Sequence, residues 1–344
     1  MIDKLKEKPW MWRLPFLVLL ILFSVFAIRR HQGVTPITKA QWQHSEGAVF
    51  GTFYHLTYEH PTILQADIDQ ALEMVNNSLS MFNPKSTLSK VNSNEDLHSD
   101  AMLESVFALA QKVSRATDGA FDVTVAPLVN AWGFGFKNGA MPDSATVDSL
   151  RALVGWNRVS IEGGMVKKEV PGMVLDFSAI AKGYGCDAVA SVLRHHGVRN
   201  FMVEIGGEVV VDGMNDKGKA WRIGVNKPID DSLCVNNELE TVLELSGKAM
   251  ATSGNYRNFY VTEDGRKVAH TIDPHTGYPV QHSILSATVV APTCAEADAF
   301  ATSFMVMGLE KAKEVLKQQK QLQVFLIYAE GDENKVYSTV DEAK

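Results

Sequence analysis

Apolar residues recur at helical steps early in this chain and at strand steps later. The two periods are never braided into a regular βαβ alternation. Leu64, Ile68, Leu72, Val75, Leu79 and Phe82 fall three and four apart and predict one amphipathic helix. MLESVFALAQKVSRATDG (102–119) predicts a second, with Gly119 as its stop. GAVFGTFYHLTY (47–58), aromatic and β-branched, predicts a strand before them. From 158 onward strands dominate: a pair around the glycines of VRNFMVEIGGEVVVDG, then WRIGVNKP and TVLELSGKAMATSG, a hairpin in FYVTEDGRKVAHTID, SILSATVVAP, and closing strands in QVFLIYAE and KVYSTV. A helix near 180–196 interrupts them. This order predicts an α+β fold, mixed sheets with packed helices.

The first thirty residues follow other rules. MIDKLKEKPWMWR carries four cations, and LPFLVLLILFSVFAI (14–28) then runs apolar up to Arg29 and Arg30. The run is shorter than the ~20 residues of a comfortable span. It reads either as a cleaved signal, with Val25-Phe26-Ala27 at the cut, or as an uncleaved anchor. Both readings export residues 31–344, because positive charge before the apolar run stays inside. The expected organisation is a leader over 1–30, a linker over 31–45 and a body over 46–344, in one or two lobes. A net charge of −7 with no basic stripe excludes nucleic acid as a partner. It also means that an anionic ligand needs a local device. Cys186, Cys234 and Cys294 are odd in number and widely spaced, which fits core thiols rather than disulfides or zinc.

Three stretches hold candidate chemistry. In CAEADAFATSF (294–304), Asp298 and Thr302 stand four apart, so a helix turns both oxygens to one face, suited to Mg²⁺ or Ca²⁺. Thr293 is placed to cap that helix. In VLDFSAIAKGYGCDAVA (174–190), a strand ending on Asp176 runs into a helix opened by Lys182 and Gly183. A lysine there is electrostatically misplaced unless an anion compensates the positive helix end. In AHTIDPHTGYPV (269–280), His270 sits at a strand end, where an imidazole serves as base or as phosphate donor. Gly206-Gly207 allows close backbone approach. TDGAFDVTVAPLVNAWGFG (117–135) sets Asp122 beside Phe121 ahead of a Pro-started loop, a mix suited to a ring with polar edges.

Taken in order, FGTFY, LSMFNPKSTLSKVN, GAFDVTVAPL, LDFSAIAKGY, EIGGEV, ATSGNYRNF, HTIDPHTGYPV and EADAFATSFMVMG closely resemble the ApbE family, FAD:protein FMN transferases, from about Gly47 to Tyr328. The resemblance implies an ApbE-like mixed fold. It implies Mg²⁺ on Asp298 and Thr302, with Ala179 lending an oxygen to the same ion. It implies FAD contacts at Ala120, Phe121, Asp122, Asp176, Lys182 and Ile272, and catalysis by His270. Phe50 stands where the family often has Met and Phe82 where it often has Tyr; stacking on the flavin ring survives both changes, a phenolic hydrogen bond at 82 does not. The implied reaction moves FMN from FAD onto a Thr or Ser hydroxyl of an acceptor protein and releases AMP, with His270 as base and Asp298 or another acid as the reserve. The implied acceptors are membrane redox subunits of the Nqr and Rnf type, at the periplasmic face of a bacterial inner membrane. Two other functions stay open at this point: a Mg²⁺-dependent FAD pyrophosphatase with water as acceptor, and a flavin carrier without turnover.

Overall fold

The computed structural model describes residues 41–135, 141–230, 238–256, 259–262, 267–331 and 333–340. The apolar leader, linker residues 31–40 and Cys234 lie outside the described residues. From Trp42 onward the chain forms one compact unit. No described helix is long and apolar enough to cross a membrane.

Along the chain come β1 (Gln41–Val49), β2 (Thr52–His60), α1 (Gln65–Leu79), α2 (Thr87–Ser93), α3 (Ala101–Ala116), α4 (Ala126–Ala131) and α5 (Ser144–Arg151). Then follow β3 (Val159–Glu162), β4 (Met165–Lys168), α6 (Ala181–His195), β5 (Phe201–Ile205), β6 (Glu208–Asp212), β7 (Trp221–Asn226) and β8 (Leu239–Leu245). The last third holds β9 (Lys248–Gly254), β10 (Phe259–Val261), β11 (Lys267–Ala269), β12 (Ile284–Ala291), α7 (Cys294–Met307), α8 (Leu309–Gln318), β13 (Gln323–Glu330) and β14 (Glu333–Ser338). The fold is mixed α+β.

One eight-stranded sheet dominates, in the order β1-β2-β5-β6-β9-β12-β13-β14. Every pairing from β2 to β14 is antiparallel. The sheet is covered on both faces. Ala287, Val289 and Ala291 of β12 face α3 and α7, packing with Phe107, Phe300 and Phe304. Val290, with Met250 of β9, faces the two-stranded β7–β8 ribbon and its Trp221, Ile223 and Leu243. Alternate residues of one strand thus enter two different cores, and β12 reads as continuously apolar for that reason. At the other end of the sheet, Tyr54, Leu56 and Tyr58 of β2 meet Ile68 and Leu72 of α1 and Val189 and Leu193 of α6.

Helix α7 is buried almost all round, as its apolar, small-residue sequence requires. Phe300 and Phe304 are fully buried, each contributing about 1.5–3 kcal/mol. The Thr293 hydroxyl accepts from Glu296 N–H and caps it, as the sequence predicts.

Several local expectations are corrected. Residues 47–58 are not one strand but the end of β1, a turn and β2. The turn is Phe50 (φ 51°) and Gly51 (φ 74°), and two successive left-handed residues are what a tight hairpin of the primed type requires. β1 begins at Gln41, inside the stretch read as linker. Phe82 lies beyond the end of α1 and is 66% exposed, because the helix stops at Leu79 and Ser80 is already extended. The segment before α6 is not a strand but an irregular extended stretch, tied in by Asp176 N–H to Val123 O (2.7 Å). The Pro-started loop after Asp122 is the short helix α4, with its proline in the first turn, where the missing N–H costs nothing.

Candidate functional site

The residues singled out in the sequence converge on two adjoining cavities. One, of about 440 Å³, is lined by Ala120, Phe121, Asp122, Asp176, Ala179, Lys182, His270, Ile272, Asp298 and Thr302 among others. The second, of about 680 Å³, has Phe50 and Phe82 in its wall. Asp176, Ser178, Lys182 and His270 belong to both.

The fold brings each group in from a different element. Asp176 ends the extended segment in a tight turn, its Oδ1 accepting from Ser178 N–H (2.7 Å), and Ala179 leads into α6. Lys182 and Gly183 lie in the first turn of α6. From α7, Asp298 is 3% exposed, and its Oδ2 accepts from Gly183 N–H at 3.1 Å. Thr302, one turn on, shares a 3.1 Å hydrogen bond with the Ser253 hydroxyl of β9. His270 comes directly after β11, half-buried, its ring edge-on to Phe134 with centroids 6.3 Å apart. Ile272 is buried and bridged to Pro279.

Two of these residues also serve the fold around the cavities. The oxygens of Asp122 are occupied within the protein: Oδ1 accepts from Thr124 N–H (2.7 Å) and its hydroxyl (2.6 Å), and Oδ2 accepts from Trp156 N–H (2.9 Å). Its carboxylate shapes the loop that forms the cavity wall. The ring of Phe50 lies against Gly185 of α6, where a Cβ would stand 2.5 Å from a ring carbon, so the glycine makes room for it.

The ApbE family model matches residues 50–326. The chain belongs to the ApbE family. It is 38% identical over 311 residues to a FAD:protein FMN transferase of Vibrio cholerae, covering 87% of this chain and 91% of that one. It is 34% identical over 307 residues to a FAD:protein FMN transferase of Escherichia coli, covering 85% and 86%. Among solved structures, the flavin transferase ApbE from Vibrio cholerae superposes with a TM-score of 0.78 at 36% identity, over 87% of this chain and 97% of that one.

In this ApbE chain the anion that compensates Lys182 is Glu208, the first residue of β6, a group that the sequence motifs pass over in favour of the glycines before it. Lys182 Nζ donates to Glu208 Oε1 at 2.5 Å, and Glu208 is 2% exposed. Its other oxygen, Oε2, is buried without a hydrogen-bond partner among the described residues. The sequence signal is an acid placed directly ahead of three valines at the start of the strand, EVVVD.

Burial sets the electrostatics. It raises the carboxyls of Asp122, Asp176 and Asp298 above the ordinary range, and takes Asp187 on α6 up to about 6. Glu208 is likewise raised by burial, with Lys182 pulling it back and the Asp298 charge adding to the rise. The pairing with Glu208 and the charge of Asp298 outweigh desolvation at Lys182 and keep its ammonium charged.

These shifts make stability depend on pH. The unfolded chain releases these protons at ordinary carboxylate values and the folded chain releases them later. Across that window the folded state holds more protons, so stability falls as pH rises. In chelator, the urea midpoint is expected to be lower at about pH 8 than at about pH 5.5. An unchanged or rising midpoint would contradict the burial of these groups.

Proposed function

We propose that this chain is a FAD:protein FMN transferase that uses a divalent cation, Mg²⁺, at Asp298. The observation that carries the reading is the cluster of half-buried Lys182 with buried Glu208 and Asp298 in the smaller cavity, Lys182 also reaching the larger one, with His270 in the wall common to both. The names carried by its relatives support the same activity.

The residues fit a hard cation. Two buried carboxyl groups, Asp298 and Glu208, face a single ammonium, one acid more than Lys182 pairs with. Among the described residues Asp298 is engaged only through Oδ2, and Glu208 Oε2 has no partner. No trio of His, Cys, Asp or Glu side chains gathers there among the described residues. That suits Mg²⁺, which is held by one or two carboxylates and completes its shell with water and substrate phosphates. Asp298 and Thr302 would hold it, with the main-chain oxygen of Ala179. When bound, it neutralises the diphosphate and polarises phosphorus.

The remaining steps belong to the chain's own residues. The flavin lies in the larger cavity against Phe50 and Phe82, and the diphosphate lies at the first turn of α6. There the Lys182 ammonium and the positive end of the helix meet it. Ala120, Phe121, Asp122 and Ile272 wall the smaller cavity around the rest of the nucleotide. A Thr or Ser hydroxyl of the acceptor attacks the phosphorus on the FMN side. Its proton passes to a ring nitrogen of His270, the bond from that phosphorus to the bridging oxygen breaks, and AMP leaves. The product is FMN joined to the acceptor through a phosphodiester.

The cation-flanked apolar leader and the family resemblance support a location at a bacterial inner membrane, body in the periplasm, with Nqr- or Rnf-type subunits as acceptors.

The test is to incubate the body with FAD, Mg²⁺ and an acceptor domain and weigh the acceptor. A gain of one FMN is expected. Free FMN and AMP with an unmodified acceptor would make the protein a pyrophosphatase, and FAD that stays whole would make it a carrier.

A further inference from the structure

The two helices that carry the site are fastened to each other by reciprocal contacts. From α6, Asp187 reaches the start of α7: Oδ1 accepts from Cys294 N–H and Oδ2 from Ala295 N–H, both at 2.9 Å. From α7, Asp298 Oδ2 accepts from Gly183 N–H in the first turn of α6, at 3.1 Å. Each helix hands a carboxylate to the other's first turn, where N–H groups have no partner within their own helix. Gly183 permits the approach, since a Cβ there would lie 2.4 Å from the Cys294 carbonyl oxygen. Thr293 already caps α7 through Glu296 N–H, so Asp187 engages the two N–H groups that this cap leaves free. Asp187 lines neither cavity.

We propose that Asp187 is a positioning residue, which sets the rotation and depth of α7 against α6 and so places the free oxygen of Asp298 opposite Lys182. The inference rests on the reading of Asp298 as the cation's ligand. Asp298 stands three residues beyond Ala295, one turn along the same rigid helix, so a shift at the start of α7 is carried to its carboxylate. An Asn at 187 keeps one acceptor but turns an NH₂ toward a helix N–H, and Ala removes both acceptors.

The test titrates Mn²⁺ alone into the full chain and follows free Mn²⁺ by electron paramagnetic resonance, for wild type, D187N, D187A, D298A and D143A. Asp143 caps α5 through Thr146 N–H (2.8 Å), lines neither cavity, and controls for the loss of any helix cap. D187N and D187A are expected to weaken Mn²⁺ binding about 10–100-fold, the usual cost of removing a partner that orients a ligand. D143A is expected to lower the melting temperature and leave Mn²⁺ binding unchanged. Loss of binding in D298A with wild-type binding in both Asp187 variants would overturn the positioning role alone. Equal binding by wild type and D298A would overturn the cation reading itself. Should neither Asp187 variant fold while D143A does, Asp187 is a fold determinant and the proposal is overturned.

Discussion

An Asp298→Ala enzyme is expected to lose flavin transfer by about 10³-fold or more and to lose its response to divalent ions, while keeping its fold. A cation that polarises the transferred phosphorus is worth several kcal/mol, and each ~1.4 kcal/mol is a factor of ten in rate. The structural cost is smaller. Leaving Gly183 N–H unpaired costs about 1–3 kcal/mol, offset in part because a buried carboxylate beside Glu208 disappears as well. The check is a time course of acceptor mass against Mg²⁺ concentration, with a thermal melt of the same preparation. A variant that transfers FMN at the wild-type rate would remove the metal from Asp298.

His270→Ala is expected to slow transfer by about 10²–10⁴-fold, the usual contribution of a positioned base to an alcohol nucleophile. FAD affinity, read from the quenching of flavin fluorescence, should stay close to wild type. The separation arises from geometry. His270 lies in the wall common to both cavities, whereas the position proposed for the diphosphate is at Lys182 and the first turn of α6. Equal losses of affinity and rate would make His270 a binding residue and return the base role to a carboxylate.

The parts of the fold that announce themselves in the sequence are those with local causes. The capped helix after Thr293, the β5–β6 turn on Gly206-Gly207 and the lysine opening α6 all arise from residues within a few positions of one another. The misses have a common origin in distance or in unusual turn chemistry. Phe50 carries a left-handed backbone in a hairpin turn, where Asn or Gly is the ordinary signal, so the turn is invisible until the ring is seen packed on Gly185. Glu208 becomes legible only when β6 is laid beside α6, and Asp187 only when α6 and α7 cross. A spacing rule sees one face of one helix; it does not see which two helices will share a carboxylate.

The sheet is laid down in the order in which the chain is written, each new strand joining the free edge of the ones before it, from β1 through β14. The flank of β1, β2, β5 and β6, with α6, carries Lys182 and Glu208, whereas α7 follows β12 in the chain and brings Asp298. The cluster that the proposed transfer uses is thus divided between the middle and the last third of the polypeptide, and a chain truncated before α7 would keep the lysine and its glutamate and lose the aspartate.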